Sequence, residues 1–348
     1  MQPKPYTMSQ PAIQQSLNQI CWTGLYIVFT ILIVSVYLSV DNIGIAADKP
    51  AYELLFSYLS YDMGIPAGFE RVEPVFLAFT WLIAKLTNSA NFYFCLIFTL
   101  IFLGLTCRTG KHSPLFRDRF YLIVLWLSFP FFYSLSINVL RQGLALVFVI
   151  YALDAEISLR KYKSLALLAL GAMFHFSIAI YMPIFLLLRC RIGLRLLLVF
   201  WAFCVICAIL SIPQTLITIA ATLPSVSLQE KFPYYFSYLT GRLTDTYDMS
   251  FKFRFLAFSA LPIIALFTFK SFKLQISNDC IFLLKVYLTL NGFFFLVGYI
   301  PFSDRIALLS WQLMPLLAVG LTPVSVRPAA MFLAALSACI MFAYFLIF

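Results

Sequence analysis

Charged side chains are scarce in this 348-residue chain: Asp, Glu, Lys and Arg together make up 11% of it, and there are only two histidines. A soluble domain carries about 25% charged residues, so a cytosolic enzyme is excluded. The chain has no Gly-rich phosphate loop, which excludes nucleotide-binding α/β folds, and no basic soluble module, which excludes nucleic acid as a partner. The polar segments hold no Asp-x-Asp pair, and two histidines supply few metal ligands. A metal-independent activity without a cofactor is therefore expected. The eight cysteines sit inside or at the edges of apolar stretches, so no disulfide framework is implied. Cys204 and Cys207 form a CxxC, but it falls in an apolar helix and reads as packing.

Apolar residues dominate instead, at 63%, with 18% aromatics and a mean hydropathy of +0.95. A bilayer-spanning helix needs about 20 mostly apolar residues. Such runs lie at about 20 to 40, 73 to 88, 91 to 107, 120 to 136, 139 to 156, 164 to 188, 195 to 213, 254 to 269, 280 to 300, 305 to 322 and 329 to 347. The expected fold is all-α: a polytopic integral membrane protein of about ten transmembrane helices, with 1 to 348 forming one transmembrane domain. The first run reads as a retained span, not a signal peptide.

Basic residues collect in cytoplasmic loops. Four segments are rich in them: Arg108 to Arg119, Arg160 to Lys163, Arg189 to Arg195, and Lys270 with Lys273. Acidic residues collect elsewhere, in 41 to 72 and in 212 to 253, which then form two extracytoplasmic loops. Parity makes a demand on the stretches between: 73 to 107 must cross an odd number of times and 164 to 188 an even number. The short run at 73 to 88, carrying Lys85, suits a half-helix that dips and returns. The run at 164 to 188, with His175 at its centre and Pro183 beyond, suits two half-helices meeting at a polar cavity. The competing topology makes both full spans.

An ionisable group in an apolar run is costly and asks for an explanation. Glu73 precedes Pro74 at a helix start, where an acid also suits the positive end of the dipole. Arg141 and Gln142 lie between two apolar runs with barely a loop, where a guanidinium can also snorkel to the surface. His175 is flanked by apolar residues on both sides, where a histidine also suits a plain interhelical hydrogen bond. Asp304 and Arg305 share a turn and could form an ordinary local pair. Lys85 and Lys285 read as snorkelling residues. In the preferred topology Glu73, Arg141 and Arg305 fall near one face, with His175 pointing into the same region. Two arginines, a carboxylate and a histidine suit transfer from a pyrophosphate-linked donor: cations for the leaving group and a base for the attacking hydroxyl. The loop at 212 to 253 interleaves aromatics with charges, among them Tyr235, Tyr238 and Arg242, as a sugar-binding surface or an interfacial belt would.

Three stretches carry a resemblance: Glu73-Pro74 after a Tyr-rich segment, Asn138-Val139-Leu140-Arg141-Gln142-Gly143-Leu144-Ala145, and Phe174-His175-Phe176-Ser177 after Lys161-Tyr162-Lys163. Together they resemble the EpsG-type branch of Wzy polysaccharide polymerases over about residues 40 to 310. The Asp304-Arg305 match is weaker, and Val75 stands where Gly or Ala is more usual. The resemblance implies a multi-pass bacterial inner-membrane glycosyltransferase of O-antigen type. It would join undecaprenyl-pyrophosphate-linked oligosaccharide units at the periplasmic face, among membrane lipid, with a separate chain-length regulator protein. It also implies that Arg141 binds pyrophosphate, that Glu73 or His175 is the base, and that Gln142, Asp304 and Arg305 contact the substrate. Two other functions fit the same composition: an O-antigen ligase, and a transporter or flippase of lipid-linked oligosaccharides.

Overall fold

The computed structural model describes residues 48 to 69, 72 to 107, 116 to 216, 251 to 271, 276 to 299 and 303 to 322, with 329, 330 and 333. All regular structure among the described residues is helical. The first surprise is α1 (Lys49–Ser60), inside the segment expected to be a loop. Its buried residues Tyr52, Leu55, Phe56 and Leu59 recur at helical spacing, so twelve residues suffice to cover the neighbouring elements.

Next come α2 (Pro74–Leu86) and α3 (Ala90–Cys107), separated by a short break at 87 to 89. α1 and α2 pack side by side and run in the same direction. Tyr52 meets Phe76 edge to face, and beyond the far end of α1 the Asp62 carboxylate pairs with Lys85. Lys85 is thus an ion-pair partner, and its ammonium also lies 5.9 Å over the Trp81 ring. The apolar run at 120 to 136 is cut by Pro130 into α4 (Phe116–Ser128) and α5 (Pro130–Ile137), since proline cannot continue the preceding helix but starts a new one well.

α6 (Leu140–Ile157) is the central helix, with most of its residues buried. It runs parallel to α3, Ile101 lying beside Gly143 and Val147 beside Gly104. Then α7 (Lys161–Phe174) runs back along α6. His175, extended at φ −157° and ψ 116°, ends it, and a 3₁₀ turn over Phe176–Ile180 leads into α8 (Tyr181–Arg189). Arg189 returns to the start of α7, where its Nη2 donates to the Lys161 carbonyl at 3.4 Å. It also grips Glu156 at the end of α6 through two bonds of 2.7 Å. The segment 161 to 189 therefore leaves and re-enters one end of the molecule, two half-helices with His175 at their turn.

The remaining elements are α9 (Leu194–Ile209), α10 (Phe253–Ser271), α11 (Asn278–Val297), α12 (Ser303–Trp311) and α13 (Met314–Leu321). Cys204 and Cys207 are buried side chains on α9. A buried polar hub joins four of these helices. Asn291 on α11 donates to Ser259 on α10 and Ser310 on α12, and accepts from the Trp201 indole of α9 at 2.7 Å. Away from water such groups need partners, and this one has three. Where hydropathy suggested about ten transmembrane helices, broken or re-entrant ones among them, only Asn278–Val297 among the described residues is both long and apolar enough for a full crossing. Pro74–Leu86, Ala90–Thr106, Phe176–Arg189, Leu194–Ile209, Phe253–Thr268 and Arg305–Leu321 are shorter apolar helices.

Candidate functional site

The residue before a proline is driven out of the helical region, and Glu73 accordingly sits at φ −58° and ψ 136° ahead of Pro74. Its carbonyl accepts the first bond of α2 from Leu77, but its side chain makes no cap. The carboxylate is spent elsewhere. Oε2 accepts from Arg141 Nη1 at 2.5 Å, while Oε1 lies 2.9 Å from His175 Nδ1 and accepts the Phe176 backbone N–H at 3.2 Å. Three stretches read separately from the sequence therefore meet on one carboxylate.

Each partner is held in place by its own element. Arg141 is the second residue of α6, where a cation faces the positive end of the helix dipole and gains from an adjacent anion. Its Nε donates to the Tyr52 hydroxyl of α1 at 3.3 Å. His175 can reach Glu73 because α7 stops there, and α7 can lie close to α6 because of Gly171. A Cβ at that glycine would come within 3.1 Å of Phe148 and 3.3 Å of the Ala145 carbonyl. The side chains of Glu73, His175 and Arg141 are 14%, 15% and 24% exposed, so they are shielded enough to interact strongly while keeping some contact with their surroundings.

Arg305, the third residue of α12, lies alongside. Its Nη2 donates to Asp48 Oδ2 at 3.0 Å, a partner 257 positions away in the chain. The Asp48 backbone N–H in turn donates to Asn138 Oδ1 at 2.8 Å. Gln142 is fully buried, and its Nε2 donates to the Arg305 carbonyl at 2.9 Å. Its amide therefore faces the main chain of α12.

The structure thus brings together Glu73, Arg141, Gln142, His175 and Arg305. The Asp304 side chain, and Tyr235, Tyr238 and Arg242, lie outside the described residues. Three neighbours that sequence reasoning did not single out complete the cluster: Asp48, Tyr52 and Asn138. Asp48 and Tyr52 stand four positions apart at the start of α1, the spacing of one helix face, which is the signal that could have found them. Chemically the cluster offers two guanidinium groups suited to phosphoryl oxygens and one imidazole oriented by a carboxylate. Among the described residues, no group of three or more His, Cys, Asp or Glu side chains is placed to hold a metal ion.

The family model described as EpsG family matches residues 24–348. No curated protein matches the chain, and no solved structure does.

Proposed function

The chain belongs to the EpsG family, that of Wzy-type polymerase-like proteins, and on that premise we propose that it is a membrane polysaccharide polymerase. In this reading it transfers a growing glycan from undecaprenyl pyrophosphate to the non-reducing-end sugar of an incoming lipid-linked repeat unit. The reaction takes place at the periplasmic face of the bacterial inner membrane. The supporting observation is the division of Glu73 between Arg141 and His175.

That division separates the roles of the two groups which the sequence leaves as rival bases. Glu73 already accepts three donors, one from Arg141, one from Phe176 and one from His175. An acceptor so engaged is a poor base. With Nδ1–H donated to the carboxylate, the Nε2 of His175 keeps a lone pair that can accept a proton. His175 Nε2 takes the proton from the acceptor sugar hydroxyl as that oxygen attacks the anomeric carbon of the donor. The bond from that carbon to the pyrophosphate oxygen breaks, and undecaprenyl pyrophosphate leaves with the electron pair. Arg141 holds the charge that develops on the leaving group, and Arg305 takes the second phosphoryl group. Glu73 keeps the imidazole in the productive tautomer and steadies the imidazolium. No step in this scheme needs a metal ion.

The basic segments at one end of the molecule and the site at the other support the orientation. Arg160, Lys161 and Arg189 lie at the end of α6 opposite to Arg141, and basic loops favour the cytoplasm.

The test is a gel of surface polysaccharide from a strain lacking the gene, with and without its restoration. Loss of the ladder with a single repeat unit still attached to lipid A-core identifies a polymerase, because flipping and ligation must work to deliver that unit. Loss of the single unit as well points to a ligase or flippase.

A further inference from the structure

Gln142 is an unusual residue to bury. None of its surface is exposed, its Nε2 holds the Arg305 carbonyl at 2.9 Å, and its Oε1 is a buried atom without a hydrogen-bond partner. A buried amide oxygen left unpaired costs stability. An apolar side chain of the same shape would avoid that cost, so packing alone does not account for Gln142.

Its position does. Gln142 follows Arg141 directly on α6, and its one bond crosses to the first turn of α12 at Arg305. The amide thus fixes the backbone carrying one guanidinium against the backbone carrying the other. Two further contacts hold the same pair from α1: Tyr52 on Arg141 Nε, and Asp48 on Arg305 Nη2. Both arginines currently answer carboxylates, Glu73 and Asp48, whose oxygens stand where phosphoryl oxygens would bind.

We propose that Gln142 is a positioning residue that sets the spacing of Arg141 and Arg305, and through it makes the site select a diphosphate ester over a monophosphate ester. This rests on the polymerase reading of the same cluster, in which Arg141 binds the donor's pyrophosphate. A monophosphate engages one guanidinium and gains nothing from the spacing. A diphosphate engages both, and only while α12 is held at the right distance from α6. After transfer, the departing lipid diphosphate is recognised by the same pair.

The experiment uses the full chain purified in detergent, with geranyl diphosphate and geranyl monophosphate as probes, and measures the ratio of their dissociation constants. In the unsubstituted protein the diphosphate binds more tightly. In Gln142→Met, which keeps the side-chain volume and removes the amide, the preference falls by about tenfold, as loss of one charge-assisted contact requires. That fall comes from weaker diphosphate binding, with monophosphate binding unchanged. Arg305→Gln produces the same fall, and the double variant falls no further than either single one, as two residues acting through one contact must. A merely structural role would lower the thermal midpoint and weaken both probes together.

A Gln142→Met protein that is folded and keeps the full preference overturns the proposal while leaving Arg141 as a phosphate ligand. An unsubstituted protein that binds both probes equally overturns it too. If the unsubstituted protein binds neither probe, the reading of the cluster as a pyrophosphate site falls, and this proposal with it.

Discussion

Glu73 and His175 stand 102 positions apart in the chain, yet Oε1 of the one lies 2.9 Å from Nδ1 of the other. The contact exists because two breaks coincide. Pro74 forces Glu73 out of the helix that it precedes, and α7 stops at His175 and turns back. Each break exposes one polar side chain at the same level of the bundle, and Arg141 at the start of α6 supplies the third.

The separation of roles predicts an asymmetric response to Glu73→Gln. An amide in this place frees Arg141 of its counter-ion but can present either hydrogen-bonding group to Nδ1, so the imidazole loses its fixed tautomer. The turnover number should fall about a hundredfold or more, while the KM for the lipid-linked donor stays level or drops. Steady-state transfer by the purified chain measures both.

Arg141→Lys keeps the charge and loses the fork. In the structure Arg141 uses Nη1 for Glu73 and Nε for Tyr52, two directions that an ammonium on a flexible stem does not reproduce. Polymerisation should fall by about a hundredfold or more, with membrane abundance unchanged. Ladder intensity against an immunoblot of the same membranes checks it.

Gly143 permits the closest approach in the site region. A Cβ there would lie 2.2 Å from the Leu135 carbonyl oxygen and 2.7 Å from Ile101 Cδ1. The first of these is backbone and cannot rotate away, so Gly143→Ala must shift α6 against α5. A loss of about 1–3 kcal/mol is expected, together with lower activity, because Arg141 sits two positions earlier. Thermal unfolding in detergent and the transfer assay should both register it.

Much of the cluster was legible because an ionisable residue in an apolar run is conspicuous. Glu73, Arg141 and His175 each stood out against hydrophobic neighbours, and the Glu73-Pro74 and Phe174-His175-Phe176-Ser177 patterns matched a family. The helix break at His175 was legible from parity of the basic segments. α1 was not, because a membrane span announces itself as about 20 apolar residues, and a twelve-residue helix with polar neighbours falls below that length. With α1 went Asp48 and Tyr52. One partner of Arg305 was hidden for another reason: Asp48 lies 257 positions away, a separation that no local pattern encodes. The bond from Gln142 to the Arg305 carbonyl was hidden for the same reason, since it crosses 163 positions.

Asn291 offers a control remote from the site. Asn291→Ala removes the partner of the Trp201 indole and of two buried hydroxyls, at a cost of about 1–3 kcal/mol. The thermal midpoint should drop, while the KM of the surviving protein stays that of the unsubstituted chain. A changed KM would mean that the hub and the site are coupled.

In the proposed reaction polymerisation runs through the imidazole of His175, and the decisive measurement is complementation of the deletion strain with His175→Ala. At membrane abundance matched to the unsubstituted protein, the polysaccharide ladder should be lost and lipid A-core should carry one repeat unit. A ladder of normal length and intensity from the His175→Ala strain would contradict it.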